Sequence, residues 1–403
     1  MADGKRRIVY IQYTNPAAYP PLQHSSRILA KSGWDVLFLG TGSHGAGSLE
    51  FPPHPRITVR QLSYVAGGWR QKVHYLWYSL WCCYWVLRWR AGWVYASDVL
   101  STPVALLVRT LFRPRVIYHE HDSPAGPAGS AFQRFGLWTR RLLSAGASAV
   151  VFPNSARAQR FLEENGGVGP TPEIVWNCPS GDDLGPRVAP GDERTHFRVL
   201  YHGSIVPDRL PLVVLEALAQ VPDDASLTIV GYETAGSEGY LEQIRKRSAE
   251  LGISNRVRIE GAVPMREAMM AICRSCDVGL ALMPMGSTDP NLSAMTGASN
   301  KPFDYMSGGL ALIVSDLPDW RRMFIEPGYA VGCDPADVKS IARALSELYR
   351  DRERVASMGA RGRARIESEW NYEEQFRPVK TMLDSGLATL PGTRPAHEGV
   401  VQI

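Results

Sequence analysis

The chain has 403 residues, 45% of them hydrophobic and 21% charged, with a formal net charge of +4. That composition excludes a disordered or fibrous chain, and the length leaves room for two or three domains with sizeable cores. Six scattered cysteines are too few and too dispersed for a disulfide framework and fit a reducing compartment.

The charge is unevenly placed. Residues 1–170 hold 19 Lys and Arg against 8 Asp and Glu, a net of +11, while the remainder is acidic at −7. A basic half points to an anionic partner, whether nucleic acid, a membrane surface or a phosphorylated substrate.

In chain order, the basic "GKRR" precedes only a short apolar run, "IVYIQY", too short for a secretory core, so a first strand is expected there. "PLQHSSRILAKSG" reads as a helix, and "WDVLFLG" and "ITVRQLSYV" as strands. A long tryptophan-rich helix follows, then "GWVYASD", "TPVALLVRTLF", "RVIYHEH", "SAVVFPNS" and "EIVWNCPS". Such strand–helix alternation marks a parallel sheet wrapped by helices. "GDDLGPRVAPGDERTH", rich in Gly, Pro and charge, reads as a linker.

From "FRVLYHGSI" onward the alternation repeats, ending in the strongly helical "DVKSIARALSELYRDRERVASMGARGRARIESEW" and "NYEEQFRPVKTMLDSG". The expected fold is α/β, with two doubly wound Rossmann-like domains facing a cleft. Their bounds are 1–181 and 197–370, joined by a linker over 182–196. A C-terminal helix over 371–386 should pack back on the first domain, before a disordered tail over 387–403.

The tryptophan helix places Trp77, Trp81, Trp85, Trp89 and Trp93 four residues apart, a slowly drifting stripe. Its uncharged run, Val73 to Leu87, falls short of the roughly 20 residues needed to span a bilayer. With Lys72, Arg88 and Arg90 at its edges it reads as an interfacial helix on an anionic membrane, Trp81 and Trp85 facing lipid. A core helix covering the sheet is the competing reading.

Ligands of doubly wound sheets sit beyond the carboxyl ends of the strands. Gly203 ends a strand there and Arg209 lies six residues on, types suited to a close phosphate approach and a bidentate clamp. Lys301 and Asp304 stand at the mouth of the helix in "ASNKPFDYMSGG"; a carboxylate there either complements the helix dipole or holds a ribose diol. "VIYHEHDSP" puts His119, Glu120, His121 and Asp122 at a strand exit, and Asn15, Tyr19 and His24 follow the first strand. Neither His119 with His121 nor Cys273 with Cys276 has further ligands at metal spacing, so no metal is expected. The first strand lacks a Gly-x-Gly-x-x-Gly, which argues against a dinucleotide fold.

Across residues 7–386 the chain resembles the retaining GT-B glycosyltransferases that use nucleotide-sugar donors. The residues that carry the resemblance are "SNKPFDYMSGGLALIVSD", "YHGSIVPDR", "VIYHEHDSP" and "EIVWNCP". It implies that Asp304 holds the ribose, that Arg209 contacts the diphosphate and that His121 lies beside the donor sugar. Gly203, Ser204, Ser299, Asn300 and Lys301 would complete the donor site, with Asn15, Tyr19 and His24 in the acceptor-side cleft. Three departures stand out: Ser204 replaces an Arg, Asp304 shortens a Glu, and Thr296 replaces a carboxylate.

What the resemblance implies is a metal-independent hexosyltransferase with no cofactor beyond a UDP- or GDP-linked sugar. Its acceptor would be a carbohydrate or lipid-linked saccharide of a polysaccharide or glycoconjugate pathway. It would work in the cytoplasm on the inner face of the cell membrane, with no nucleic-acid partner. Two alternatives are a nucleotide-sugar epimerase, with Glu120 and Asp122 as acid and base, and a non-catalytic membrane-associated partner subunit.

Overall fold

The computed structural model describes residues 6–124, 129–186, 196–234 and 236–388. The first domain holds strands β1 (Arg7–Ile11), β2 (Asp35–Thr41), β3 (Ile57–Leu62), β4 (Trp93–Ser97), β5 (Arg115–His119), β6 (Ala149–Phe152) and β7 (Glu173–Ile174). Around them lie helices α1 (Pro20–Lys31), α2 (Trp69–Trp89), α3 (Thr102–Phe112), α4 (Ala131–Ala145) and α5 (Ser155–Asn165).

The second domain carries β8 (Phe197–Ser204), β9 (Ala225–Tyr232), β10 (Val257–Gly261), β11 (Val278–Ala281), β12 (Ala311–Ser315) and β13 (Ala330–Cys333). Its helices are α6 (Val213–Leu218), α7 (Tyr240–Glu250), α8 (Arg266–Arg274), α9 (Pro290–Ser293), α10 (Asn300–Gly308), α11 (Pro318–Trp320), α12 (Val338–Arg350) and α13 (Arg352–Ser368). A last helix, α14 (Tyr372–Ala388), ends the described chain.

The strand orders are β3-β2-β1-β4-β5-β6-β7 and β10-β9-β8-β11-β12-β13, and the ladder pairings are parallel. Each sheet reverses its winding beside its first strand, between β1 and β4 and between β8 and β11. Such switch points open a crevice at the strands' carboxyl ends. These are two Rossmann-like α/β domains.

Parallel strands covered on both faces need continuous apolar runs, and each sheet has two apolar clusters, one per face. Helix α14 returns to the first domain: Tyr372, Phe376, Val379 and Leu383 pack with Ile8, Tyr10 and Trp34. The indole N–H of Trp34 donates to Asp384 at 3.2 Å. Helices α12 and α13 break at Asp351, whose carboxylate accepts the N–H of Arg354 and caps the second. Residues 187–195 of the expected linker and 389–403 of the expected tail lie outside the described residues.

The tryptophan stripe does not stay on one face. Helix α2 ends at Trp89, with Arg90 left-handed, and Trp93 belongs to buried β4. Trp81, Trp85 and Trp89 lean onto the domain core, with Arg60 stacked 4.0 Å over Trp85. The exposed positions are Trp69, Val73, Leu76, Trp77, Leu80, Tyr84 and Leu87. Facing lipid with Trp81 and Trp85 is therefore corrected. Among the described residues no helix is long and apolar enough to cross a membrane.

Candidate functional site

The two switch points face each other across a cavity of about 420 Å³. On the second-domain side, Gly203 is the penultimate residue of β8, and its φ of +108° favours glycine. A Cβ there would come within 3.2 Å of the Lys301 ammonium, so the glycine makes room for that side chain at the strand end. Lys301 is 6% exposed and lies 5.4 Å from the Tyr201 ring. Neither it nor Arg209 has an ion pair among the described residues. Burial, and then the neighbouring Arg209, push the Lys301 pKa down to about 7.

Helix α10 begins at the same place. Ser299 occupies its N-cap without a side-chain bond, no acidic residue lies in its first turn, and its end is closed by Gly309 at φ +80°. The first peptide N–H groups are therefore free of a capping side chain, at the positive end of the helix dipole. Ser299, Asn300 and Lys301 line the cavity, and Asn300 Oδ1 has no hydrogen-bond partner among the described residues. Two cations without an ion pair among the described residues and an uncapped helix start thus meet at one wall of the cavity, an arrangement with the chemistry to neutralise an anion.

On the first-domain side, the exit of β5 delivers His121 to the cavity, both ring nitrogens without a hydrogen-bond partner among the described residues. Burial, reinforced by Arg157, lowers its pKa to about 3, so the ring is neutral at pH 7. Arg157 donates to the His121 carbonyl, and Asp98 Oδ1 accepts the N–H groups of His121 and Asp122 at 2.8 and 3.2 Å. Asp98 does this at φ +62°, a left-handed conformation that a non-glycine residue adopts only under constraint. Tyr19 stands 5.5 Å from His121, ring to ring.

Several expected residues sit elsewhere. Asn15 is spent inside the first domain: it donates to the Ala46 and Leu49 carbonyls and accepts from Ala17 and Gln61. It caps a turn instead of facing the cleft. His24 is buried in a separate cavity, 3.4 Å from Asp183. Glu120 is fully buried, gripped by Arg140 at 2.6 and 2.8 Å and by the Tyr118 hydroxyl, so it cannot serve as an epimerase acid or base with Asp122. Thr296 donates to Asp319. Cys273 and Cys276 are core residues, and no group of three or more His, Cys, Asp or Glu among the described residues could hold a metal.

Asp304 does line the cavity but is already engaged. Arg266 donates to its Oδ1 at 2.6 Å, and His202 stands 3.5 Å from its Oδ2. The same Arg266 binds Asp183 at 2.9 Å. The chain His24–Asp183–Arg266–Asp304–His202 thus crosses from the first domain to the second. Arg157, Arg266 and His202 escaped sequence reading, since nothing local marks a residue whose partners lie 36 to 102 positions away.

A strap over residues 291–298 ties the rims together. Asn291 exchanges hydrogen bonds with the Ser123 backbone, Asn154 donates to the Ala294 carbonyl and Asn177 to that of Ala298.

A family model described as "Glycosyl transferases group 1" matches residues 188–365, and one described as "Glycosyl transferase 4-like domain" matches residues 22–177. Among curated proteins the chain is similar to a GDP-mannose-dependent alpha-(1-6)-phosphatidylinositol monomannoside mannosyltransferase of Mycobacterium tuberculosis. The two are 24% identical over 297 residues, 68% of this chain and 71% of the relative.

Among solved structures it is similar to HepE of Anabaena in complex with UDP and glucose, with a TM-score of 0.67 and 14% identity over 94% of this chain and 99% of that one. Sucrose-phosphate synthase of Thermosynechococcus elongatus aligns with a TM-score of 0.67 and 16% identity over 95% and 100%. At such identities the structures speak for the fold alone. The two family models, one on each domain, complete the assignment: the chain belongs to the GT-B glycosyltransferases, which transfer sugar from a nucleotide-sugar donor.

Proposed function

We propose that the chain transfers a sugar with retention of anomeric configuration from a UDP- or GDP-linked donor, without a metal ion, while docked on the inner face of the cell membrane. The observation that carries this is the convergence of Arg209, Lys301 and the uncapped start of α10 on the cavity that holds neutral His121. As the bond between the anomeric carbon and phosphate breaks, charge grows on the departing diphosphate. Two cations and helix N–H groups stabilise it without a metal. The acceptor oxygen attacks from the same face, and the departing phosphate oxygen takes the acceptor's proton, so no protein nucleophile is required.

In this reading His121 hydrogen-bonds the donor sugar as a neutral ring. Asp304 meets the ribose while Arg266 holds its carboxylate in place. The exposed apolar arc of α2, with Arg70, Lys72, Arg88 and Arg90 exposed on the same helix and just past its end, supports docking on anionic lipid.

The test is donor hydrolysis of UDP-glucose and GDP-mannose with a chelator present, followed by NMR at early times. Release of nucleoside diphosphate with an α-configured free sugar, unaffected by the chelator, is the expected outcome. An initially β-configured sugar, or loss of turnover with the chelator, contradicts the reading.

A further inference from the structure

A second cavity, of about 360 Å³, opens off the reaction cleft, sharing Thr14, Tyr19 and Asp122 with it. Its inner end is polar, with Ser97, Asp98 and Asp122; its outer walls are Val99, Leu100, Pro103, Phe132 and Leu137. Among the described residues that line it there is no Lys or Arg. Leu100 and Phe132, at 43% and 39% exposed, reach the surface.

That mouth continues into α2: the Tyr75 hydroxyl donates to the Leu100 carbonyl at 2.7 Å and its ring meets Phe132 edge-on at 5.4 Å. Beyond it, α2 exposes Leu76, Trp77 and Leu80, and α4 exposes Phe135, Trp138 and Leu142. An apolar trough thus runs from the reaction centre to an apolar outer face.

We infer that this trough binds the acceptor, and that the acceptor is an amphiphile with a neutral hydroxylated head and a hydrocarbon tail. The inference rests on the glycosyltransferase reading. The head lies at Asp98 and Asp122, whose carboxyl oxygens pair with hydroxyls, and one hydroxyl reaches the cleft beside Tyr19 and His121. The tail follows Leu137, Phe132 and Leu100 out to the apolar face. No Lys or Arg among the described residues lines the trough to pair a phosphate, and the neighbouring Arg157 already stands 3.9 Å from Asp122, so any phosphate of the acceptor lies outside the trough.

Calorimetry on the full-length protein with octyl, decyl and dodecyl glucosides below their micelle concentrations tests this, with dodecyl phosphate as the anionic counterpart. Affinity should rise at least tenfold from octyl to dodecyl glucoside, since each buried methylene contributes about 0.8 kcal/mol, and dodecyl phosphate should bind more weakly than dodecyl glucoside. Leu100→Gln and Phe132→Gln, both at exposed positions, should each weaken the dodecyl glucoside at least fivefold, while Trp77→Gln, out on the α2 face, should not.

Affinity independent of chain length, tighter binding of the phosphate, or loss through Trp77→Gln instead overturns the inference. UDP and GDP titrations on the same samples separate the two levels. A nucleotide bound without glucoside selectivity sinks the acceptor assignment alone, and failure of both nucleotides sinks the reading beneath it as well.

Discussion

Lys301 shows how one residue ties sequence to chemistry. Its place in "SNKPFDYM" raised the expectation of a donor diphosphate beside it, and the fold buries it with no carboxylate ion pair among the described residues. With its pKa lowered to about 7 by burial and Arg209, it loses its charge as the pH rises through neutrality. An anion raises that pKa, so binding takes up a proton. Affinity for UDP-glucose or GDP-mannose should therefore be constant below about pH 6.5 and fall by up to tenfold per unit above pH 7. Lys301→Met should weaken binding roughly 10- to 100-fold through the lost charged hydrogen bond and flatten that pH profile. An unchanged profile in the variant would show that another group titrates.

Other residues could not be read so directly. Asn15 sits in a strand-end loop, where binding residues gather, yet its side chain closes that loop upon itself. Arg266 carries no motif and becomes meaningful only because folding sets Asp183 and Asp304 on either side of it.

At the scale of the element, α2 explains why a stripe misled. Residues four apart drift roughly 40° per step around a helix, so Trp77, Trp81, Trp85 and Trp89 turn through about 120°, from solvent to core. The large exposed apolar residues from Trp69 to Leu87 instead keep to an arc of roughly 100°. A double Trp77→Ser, Leu80→Ser variant should lose sedimentation with anionic vesicles and keep its thermal midpoint within about 1 °C, since surface changes cost little. Trp85→Ser removes a core-packed ring from beneath Arg60 and should lower the midpoint by about 4–8 °C, on the order of 2 kcal/mol. The reverse pattern would return the lipid contact to Trp85. By contrast α10 was legible almost to the residue, because its Pro302 and closing Gly309 act locally.

For the whole molecule, alternating strands and helices sufficed for the two sheets, since a parallel strand's apolar run is a local signal. How the domains meet was not legible. The strap of residues 291–298 and the link from His24 to Asp304 join positions far apart in sequence, and their complementarity exists only after both sheets have formed. The return of α14 onto the first domain, a third crossing, was by contrast expected from the sequence.

In the function proposed, the interdomain cavity is a donor site built on Arg209, Lys301 and the start of α10. A crystal structure of the protein with UDP or GDP tests it most directly. The diphosphate should lie within hydrogen-bonding distance of both side chains and of the first free N–H groups of α10, with the ribose at Asp304. A nucleotide bound outside this cavity, or one whose diphosphate touches neither Arg209 nor Lys301, would contradict it.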